Sequence, residues 1–505
     1  MRFTVSSLLL FGLLSPSRAV TVNHDLREEA AARDCCQTLQ RQLGPTAVLF
    51  PGSSGFQQLV NSYYSRQESE IVSQCRVSAR SAKDVSDAIK VITNTGCKFA
   101  VRSVGHMPWA GAANIAAPGV TIDLKLMDSV DVSADRKTVS LGPGGSWGPV
   151  YDTLDRFNLT AVGGRSNTVG VGGFTLGGGF SNLSPSHGFA SDNVINYQVV
   201  LADGRIVNAN KNSNVDLYRG LKAGSTNLGI ITRYDVNAFP LTPKWGGSRG
   251  YNVSQGPAIF DAMAKFTRKL PKEPLGGGSV VWGYNEQMKN DTIFATFAYL
   301  GADGTQSKAE LFSEMLDVPF NSDTIRTNTN QQALSDEVDV AFPPGLRRIF
   351  ATLTFKVDTQ IAVGVYEKSH EAFAGLVGKE GISWSASFQP ISVTHLQATQ
   401  RAGGTLQGLS PKDGDLILLN LNSVWVNESD DAAMQAAVRK VINWATQEAK
   451  KRNVLHPWLY INYALPDQDV YSSYGRDNIK VLKQIQAKYD NKNLLAKLWK
   501  GGFKL

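Results

Sequence analysis

The sequence predicts an α+β chain of more than one domain, and three observations carry that reading. At 505 residues the chain exceeds what one hydrophobic core usually organises, so about two to three domains are expected. Over the first half, strand and helix patterns mix without regular βαβ alternation, which separates α+β from a doubly wound sheet. From about residue 245 the texture changes to strands that alternate polar and apolar residues, as half-buried antiparallel sheets do. With 42% hydrophobic and 19% charged residues, disorder is not indicated.

The first residues, MRFTVSSLLLFGLLSPSRAV, join a basic Arg2 to an apolar run and a small-x-small site at Ser17-Arg18-Ala19. Ten helical residues span roughly 15 Å, half a bilayer core, so residues 1–19 read as a secretory signal and not an anchor. No later segment has the length and apolarity of a membrane span. Secretion permits disulfides. A bridge between the neighbours Cys35 and Cys36 would be strained, so each is expected to pair with one of Cys75 and Cys97, with free buried thiols as the alternative. No histidine stands at metal-ligand spacing from them, so no metal is expected. Asn158, Asn252, Asn290 and Asn427 are candidate glycosylation sites, whereas the sequon at Asn182 lies in a glycine-rich stretch and is expected to be inaccessible. The formal charge of +7 loses Arg2 and Arg18 with the signal, and the remaining positive residues are scattered. Neither nucleic acid nor a membrane is indicated as a partner.

A helical leader occupies residues 20–66, with a helix from Leu26 to Leu43 and then the turn PGSSG. In the next segment, 67–240, Ser81 and Asp84 form a capping box, Val85, Ile89 and Ile92 make one helical face, and Gly96 ends it. KFAVRS and GVTIDL are strands, and Val130 to Val132 pairs with Thr138 to Leu141 around SADRK. Ser146 caps a helix carrying Val150, Leu154 and Phe157. YQVVL and RIV flank the hairpin turn Ala202-Asp203-Gly204, DLYRGLKAG is a short helix, and GIITRYDVNAF is a strand. Residues 245–455 form a second domain, with strands SVVWGY, TIFATFAY, ATLTFKV, ISWSASFQ and LILLNLNSVWV between helices near 256–269, 305–317, 359–377 and 429–451. Residues 456–505, with LYINYALPD and a helix over 474–488, are expected to return to the first domain.

The densest stretch is GGRSNTVGVGGFTLGGGFS, where Gly170, Gly172, Gly173, Gly177, Gly178 and Gly179 crowd together. As a helix interior these would cost about 6 kcal/mol relative to alanine, so loop or strand edge is expected. Backbone N–H groups free of side chains approach one anion closely, as a pyrophosphate cradle requires. A Rossmann fingerprint with Asp192 downstream is one rival, but Gly177 to Gly179 would break the helix it needs. A plain glycine loop between sheets is another. GGSWG, Gly144 to Gly148, matches the nucleophile elbow, with His370, His395 and His456 available downstream. Ser146 is already explained as a helix cap, and a hydrolase leaves VRSVGH and the glycine run unused.

Together VRSVGHMPWAGAAN, GPGGSWGPVYDTL, VGVGGFTLGGGFS, SDNVINYQVVLADGRIV and DLYRGLKAGSTNLGIITRY resemble, in order and spacing, the berberine bridge enzyme-like oxidoreductases. These belong to the vanillyl-alcohol oxidase/p-cresol methylhydroxylase (PCMH) superfamily, and YINY and KYDNKNLL resemble its C-terminal signature. The match is dense over 67–240 and thinner over 455–495. It implies a PCMH-type FAD-binding domain at 67–240, an antiparallel-sheet substrate domain flanked by helices at 245–455, and FAD as cofactor. By that resemblance His106 corresponds to the histidine bonded to the flavin 8α-methyl. Arg102, Ser103, Val104 and Gly105 would line the diphosphate with Gly170, Gly172 and Gly173, while Asp192, Asn193, Val194 and Ile230 would hold the adenosine half. Asn462 and Tyr463 would lie beside the isoalloxazine, Tyr463 at the position that serves as base in some relatives. Ser166 stands where many plant members carry a second linking cysteine, which implies one covalent link, through His106 only. Val104 replaces a usual glycine in the loop, and Arg219 and Ala223 replace an aromatic and a glycine. Val169 matches a position where valine accompanies oxygen reactivity, which implies O2 as electron acceptor and H2O2 as product.

A flavin oxidises an alcohol or amine by taking hydride while a base removes the O–H or N–H proton. A tyrosine base, with an ordinary pKa near 10, needs a neighbouring cation or the flavin environment. The second domain is expected to roof the pocket, with Tyr460, Gln389, Asn420, Asn422 and Trp425 as candidate substrate residues beside Phe388. Trp425 and Phe388 also read as core, and the amides as solvated strand residues, but the alternation in LLNLNSVW favours Asn420 and Asn422. The remaining histidines read as structural. The expected activity is oxidation of a small organic substrate in specialised metabolism. A carbohydrate oxidase and a flavin-bound isomerase or cyclase are the alternatives.

Overall fold

The computed structural model describes residues 31–240, 244–300 and 305–505, so the expected secretory signal at 1–19 lies outside the described residues. A helix over 31–43 carries the cysteine pair, and the bridges are Cys35–Cys97 and Cys36–Cys75, one of the two expected connectivities. They tie the leader to a four-stranded sheet ordered Val48–Leu49, Cys75–Ser78, Val120–Asp123, Phe99–Arg102. Helix Ala82–Thr95 starts where Ser81 accepts the Asp84 N–H and stops at Gly96 in the left-handed region. The reciprocal arm of the capping box falls one residue early, on the N–H of Arg80.

A five-stranded antiparallel sheet follows, ordered Val130–Val132, Thr138–Leu141, Ile230–Asn237, Val194–Val200, Ile206–Asn210. Both expected hairpins are in it. Helix Trp147–Asp155 begins after Ser146, but the serine side chain makes no cap bond, and Phe157 lies beyond the helix and is exposed. The glycine run corrects the expectation of a loop: Val171–Leu176 is helical, between Gly170 and Gly177 as caps. Close packing outweighs propensity there. A Cβ on Gly172 would come within 2.8 Å of Ser103 Oγ and 2.9 Å of the Pro143 carbonyl oxygen, so only glycine lets the helix meet the Ser103 loop.

The third layer is a nine-stranded sheet whose long central strands are Asn290–Tyr299, Gly276–Asn285, Ser383–Ile391, Leu416–Trp425 and Arg347–Lys356. All its pairings are antiparallel. Because side chains alternate along a strand, each strand divides cleanly. Trp384, Ala386, Phe388, Leu419, Leu421 and Trp425 turn to one core with helices Gly256–Lys269, Thr359–Phe373 and Asp431–Lys451. Ser385, Ser387, Gln389, Asn420 and Asn422 turn to the opposite face. Helices Gln331–Ala341 and Val393–Arg401 were not foreseen; their short amphipathic runs lack a strong period.

The closing residues pack on the first sheet, with Trp499 bridged to Phe99 and the Lys500 N–H donating to the Phe99 carbonyl at 2.6 Å. Asn158, Asn252, Asn290 and Asn427 are exposed, while Asn182 is half-buried on the wall of a cavity. Among the described residues, no helix is long and apolar enough to cross a membrane.

Candidate active site

The polar face of the large sheet, the Ser103 loop and the glycine helix together enclose a cavity of about 340 Å³, within the range of small-molecule and cofactor sites. Strand Phe99–Arg102 delivers the Ser103–His106 loop to its wall. Gly105, at φ +80°, turns the chain so that His106 follows into the cavity. Opposite, Gly170 and Gly172 leave no room for a Cβ against Val104 and Ser103, whereas a Cβ on Gly173 would meet nothing within 4 Å. The first-turn N–H groups of Gly172 and Gly173 have no intrahelical acceptor. A backbone surface stripped of side chains and rich in donors suits an anionic cofactor group.

His106 packs on a ring that also carries a cation. Its imidazole stacks on Tyr64 at 3.6 Å and 13°, and the Arg348 guanidinium covers the Tyr64 ring at 3.8 Å. Burial first, and the Arg348 charge second, lower the imidazole pKa to about 3, so His106 is neutral at physiological pH. Its Nε2 lies 3.3 Å from Thr168 Oγ1.

Tyr463, in the turn Ile461–Tyr463, presents its hydroxyl to the cavity. The oxygen accepts from Arg165 at 3.1 Å and donates to Gln389 Oε1 at 3.2 Å. Arg165 also donates to Gln389 and lies over the Phe180 ring at 4.7 Å. Among the described lining residues Arg165 is the only permanently charged one. Sequence reasoning passed over it, although it is the sole basic residue in the glycine run. Asn462 Nδ2 donates to the Phe174 carbonyl and to Tyr460 Oη, and Tyr460 accepts the Phe180 N–H. The Oδ1 atoms of Asn420 and Asn422 and the Nε1 of Trp109 are buried on this wall without a partner. Such orphans mark where a bound molecule completes the hydrogen bonding. Ser279, Thr296, Ser385 and Ser387 extend the same polar face and were not foreseen.

The structure brings Ser103, Val104, Gly105, His106, Gly170, Gly172, Gly173, Ile230, Gln389, Asn420, Asn422, Tyr460, Asn462 and Tyr463 onto one cavity. Others it turns away. The Arg102 side chain is fully buried, bonded to Asp123, the Leu59, Ser62 and Val104 carbonyls and the Tyr63 ring, so it braces the loop from behind. Asp192 accepts from the Phe189 N–H and Thr399, Asn193 donates to the His187 and Phe189 carbonyls, and Val194 sits in the core; none lines the cavity. Trp425 is core too, its Nε1 donating to Asp431, because it shares strand parity with Leu421 and not with Asn422.

Residues 73–210 match the FAD binding domain family. The chain is 35% identical over 454 residues to the FAD-dependent monooxygenase FUP4 of Fusarium proliferatum (strain ET1), covering 88% of this chain and 87% of that one. It is 32% identical to the FAD-dependent monooxygenase tpcD of Cochliobolus heterostrophus, covering 97% of each. Among solved structures, 6-hydroxy-D-nicotine oxidase from Arthrobacter nicotinovorans is similar at TM-score 0.71 and 19% identity, over 90% of this chain and 96% of that one. The grass pollen allergen Phl p 4, with glucose dehydrogenase activity, is similar at TM-score 0.75 and 18% identity, over 94% and 100%. A Phl p 4 variant with valine in place of one isoleucine is a glucose oxidase.

Proposed function

The chain belongs to the berberine bridge enzyme-like FAD-linked oxidoreductases, and from that premise we propose that it is an oxygen-dependent oxidase of a small organic molecule in secondary metabolism. Tyr463 carries the reading: its hydroxyl faces the cavity between a cation and an amide, as a proton-abstracting tyrosine requires. When bound, FAD supplies the two-electron acceptor for a hydride. Ser103, Val104, Gly105, Gly170, Gly172, Gly173 and Ile230 would hold it, Asn462 would lie beside its ring, and His106 would carry it covalently. Ser166, a hydroxyl where relatives carry a thiol, makes no second link.

The chain's own residues perform the rest. Arg165 fixes the Tyr463 oxygen and supplies the positive charge that an oxygen taking up negative charge needs. Tyr463 takes the substrate O–H or N–H proton. Asn420, Asn422 and Gln389 orient the substrate from the sheet, while Phe350 and Phe180 exclude water beside the reacting atoms. Val169 on the cavity wall supports O2 as acceptor. The FAD-binding domain spans 67–240, the substrate domain 245–455, and 456–505 completes the cofactor wall. The chain enters the secretory pathway and carries glycans at Asn158, Asn252, Asn290 and Asn427.

The test needs no substrate. Purified holoenzyme, chemically reduced without air and then mixed with aerated buffer, is expected to regain its oxidised absorbance rapidly with release of H2O2. Val169→Ile is expected to slow that step about tenfold, some 1.4 kcal/mol of barrier. Slow reoxidation of the unaltered protein would overturn the oxidase reading. The names of the relatives favour a second reading, monooxygenation, in which one atom of labelled dioxygen enters the product.

A further inference from the structure

Beside His106 runs a chain of hydroxyls that ends on a carboxylate. His106 Nε2 is 3.3 Å from Thr168 Oγ1, Thr168 Oγ1 is 3.0 Å from Ser166 Oγ, and Ser166 Oγ donates to Asp339 Oδ1 at 2.5 Å. Thr168 Oγ1 also lies 3.4 Å from Asp339 Oδ1, and the Asn167 N–H donates to Asp339 Oδ2 at 2.9 Å. Asp339 sits on helix Gln331–Ala341, far along the chain from the loop it anchors.

The direction of the chain follows from its end. An ionised carboxylate only accepts, so the single Ser166 proton points to Asp339. The Ser166 oxygen then accepts from Thr168, and the Thr168 oxygen accepts from His106. That places the imidazole proton on Nε2 and leaves the lone pair on Nδ1. Burial raises the Asp339 carboxyl above its ordinary range, which makes it a better proton acceptor than a solvated aspartate.

The geometry points to Asp339, acting through Ser166 and Thr168, as the proton acceptor for attachment of the cofactor to His106. This rests on the proposed covalent link. In that step a bond forms between His106 Nδ1 and the 8α-carbon of the flavin, and one C–H bond of the 8α-methyl breaks. The two electrons of that C–H bond reduce the ring and pass to O2. The methyl proton and the imidazole proton leave, the latter down the hydroxyl chain to Asp339, and O2 with both becomes H2O2. Ser166, which forecloses a second link, thus serves the first. Arg348 and Tyr64 complete the arrangement by keeping His106 unprotonated and its ring plane fixed. Asp339 and Thr168 are positioning residues: they stand off the cavity wall that Ser166 joins, and they reach the cofactor only through His106 and Ser166.

The test is the covalent fraction, read as flavin retained by the full-length protein after acid precipitation, together with the rate at which it rises when flavin-free protein is given FAD. Wild type is expected to retain its flavin, Asp339→Asn and Thr168→Val to bind flavin but attach it at least about tenfold more slowly, and Thr168→Ser to restore the rate. Equal thermal melts would show that the variants fold. Attachment by Asp339→Asn and Thr168→Val at the wild-type rate overturns the inference alone. Release of all flavin from the wild-type protein overturns the His106 link and the inference with it.

Discussion

Tyr463→Phe removes the hydroxyl that Arg165 and Gln389 hold, so turnover is expected to fall about 10²–10⁴-fold with flavin content unchanged. Steady-state rates set against flavin absorbance check this; a variant as fast as the parent rules Tyr463 out as the base. A second residue governs acid stability. His395 is fully buried between Phe180 and Phe189, with neither ring nitrogen bonded, and burial lowers its pKa to about 3. The unfolded chain binds its proton near pH 6.5, so between those values the unfolded state holds more protons. Its contribution to stability is therefore present above pH 6.5 and lost as pH falls toward 3, on the order of 5 kcal/mol at the limit. His395→Phe is expected to flatten thermal melts across that window. At this scale the sequence was partly legible. Motif residues such as His106 and Tyr463 announce themselves, but Arg165 gains meaning only when Gln389 and Tyr463 arrive from distant strands. Trp425 was assignable from parity alone, since it is an odd number of positions from Asn420 and Asn422.

Among the elements, the glycine helix Val171–Leu176 is the least tolerant. Gly172→Ala would press a Cβ against Ser103 and Pro143 at under 3 Å, an overpacking of about 1–3 kcal/mol. Helicity should be unchanged, while purified protein should carry less flavin, as far-UV circular dichroism and absorbance together report. Full flavin loading would show that the two loops yield freely. Helix and strand positions in the large sheet were readable because alternation there is clean and long. The short glycine helix was not, since its propensity argues against it and only contact with the Ser103 loop argues for it. Helix Gln331–Ala341 escaped for the opposite reason: its pattern is weak, and its role lies in placing Asp339 beside Ser166.

For the molecule as a whole, the two disulfides close stretches of 62 and 39 residues at one end of the structure. By chain entropy each is worth about 4 kcal/mol. Thermal melts in reductant are expected to shift down, with the flavin fluorescence changing at the same lowered temperature, because the bridged sheet carries the His106 loop. An unchanged melt would assign the stability to the other sheets. Fold class and the order of elements follow from local pattern. Which sheet faces which does not, since contacts such as Ser166 with Asp339 join residues 173 apart, and no local period encodes them.

Trp499, Gly502 and Phe503 line the cavity beside Ile230, and Trp499 bridges the first sheet. On the ribosome those residues emerge after the strands and helices that make the rest of the cavity. The FAD-binding sheets can collapse while synthesis is under way, but one wall of their pocket does not yet exist. Closure of that cavity therefore waits for residues 499–503, and a chain stopped short of residue 499 lacks one wall of it.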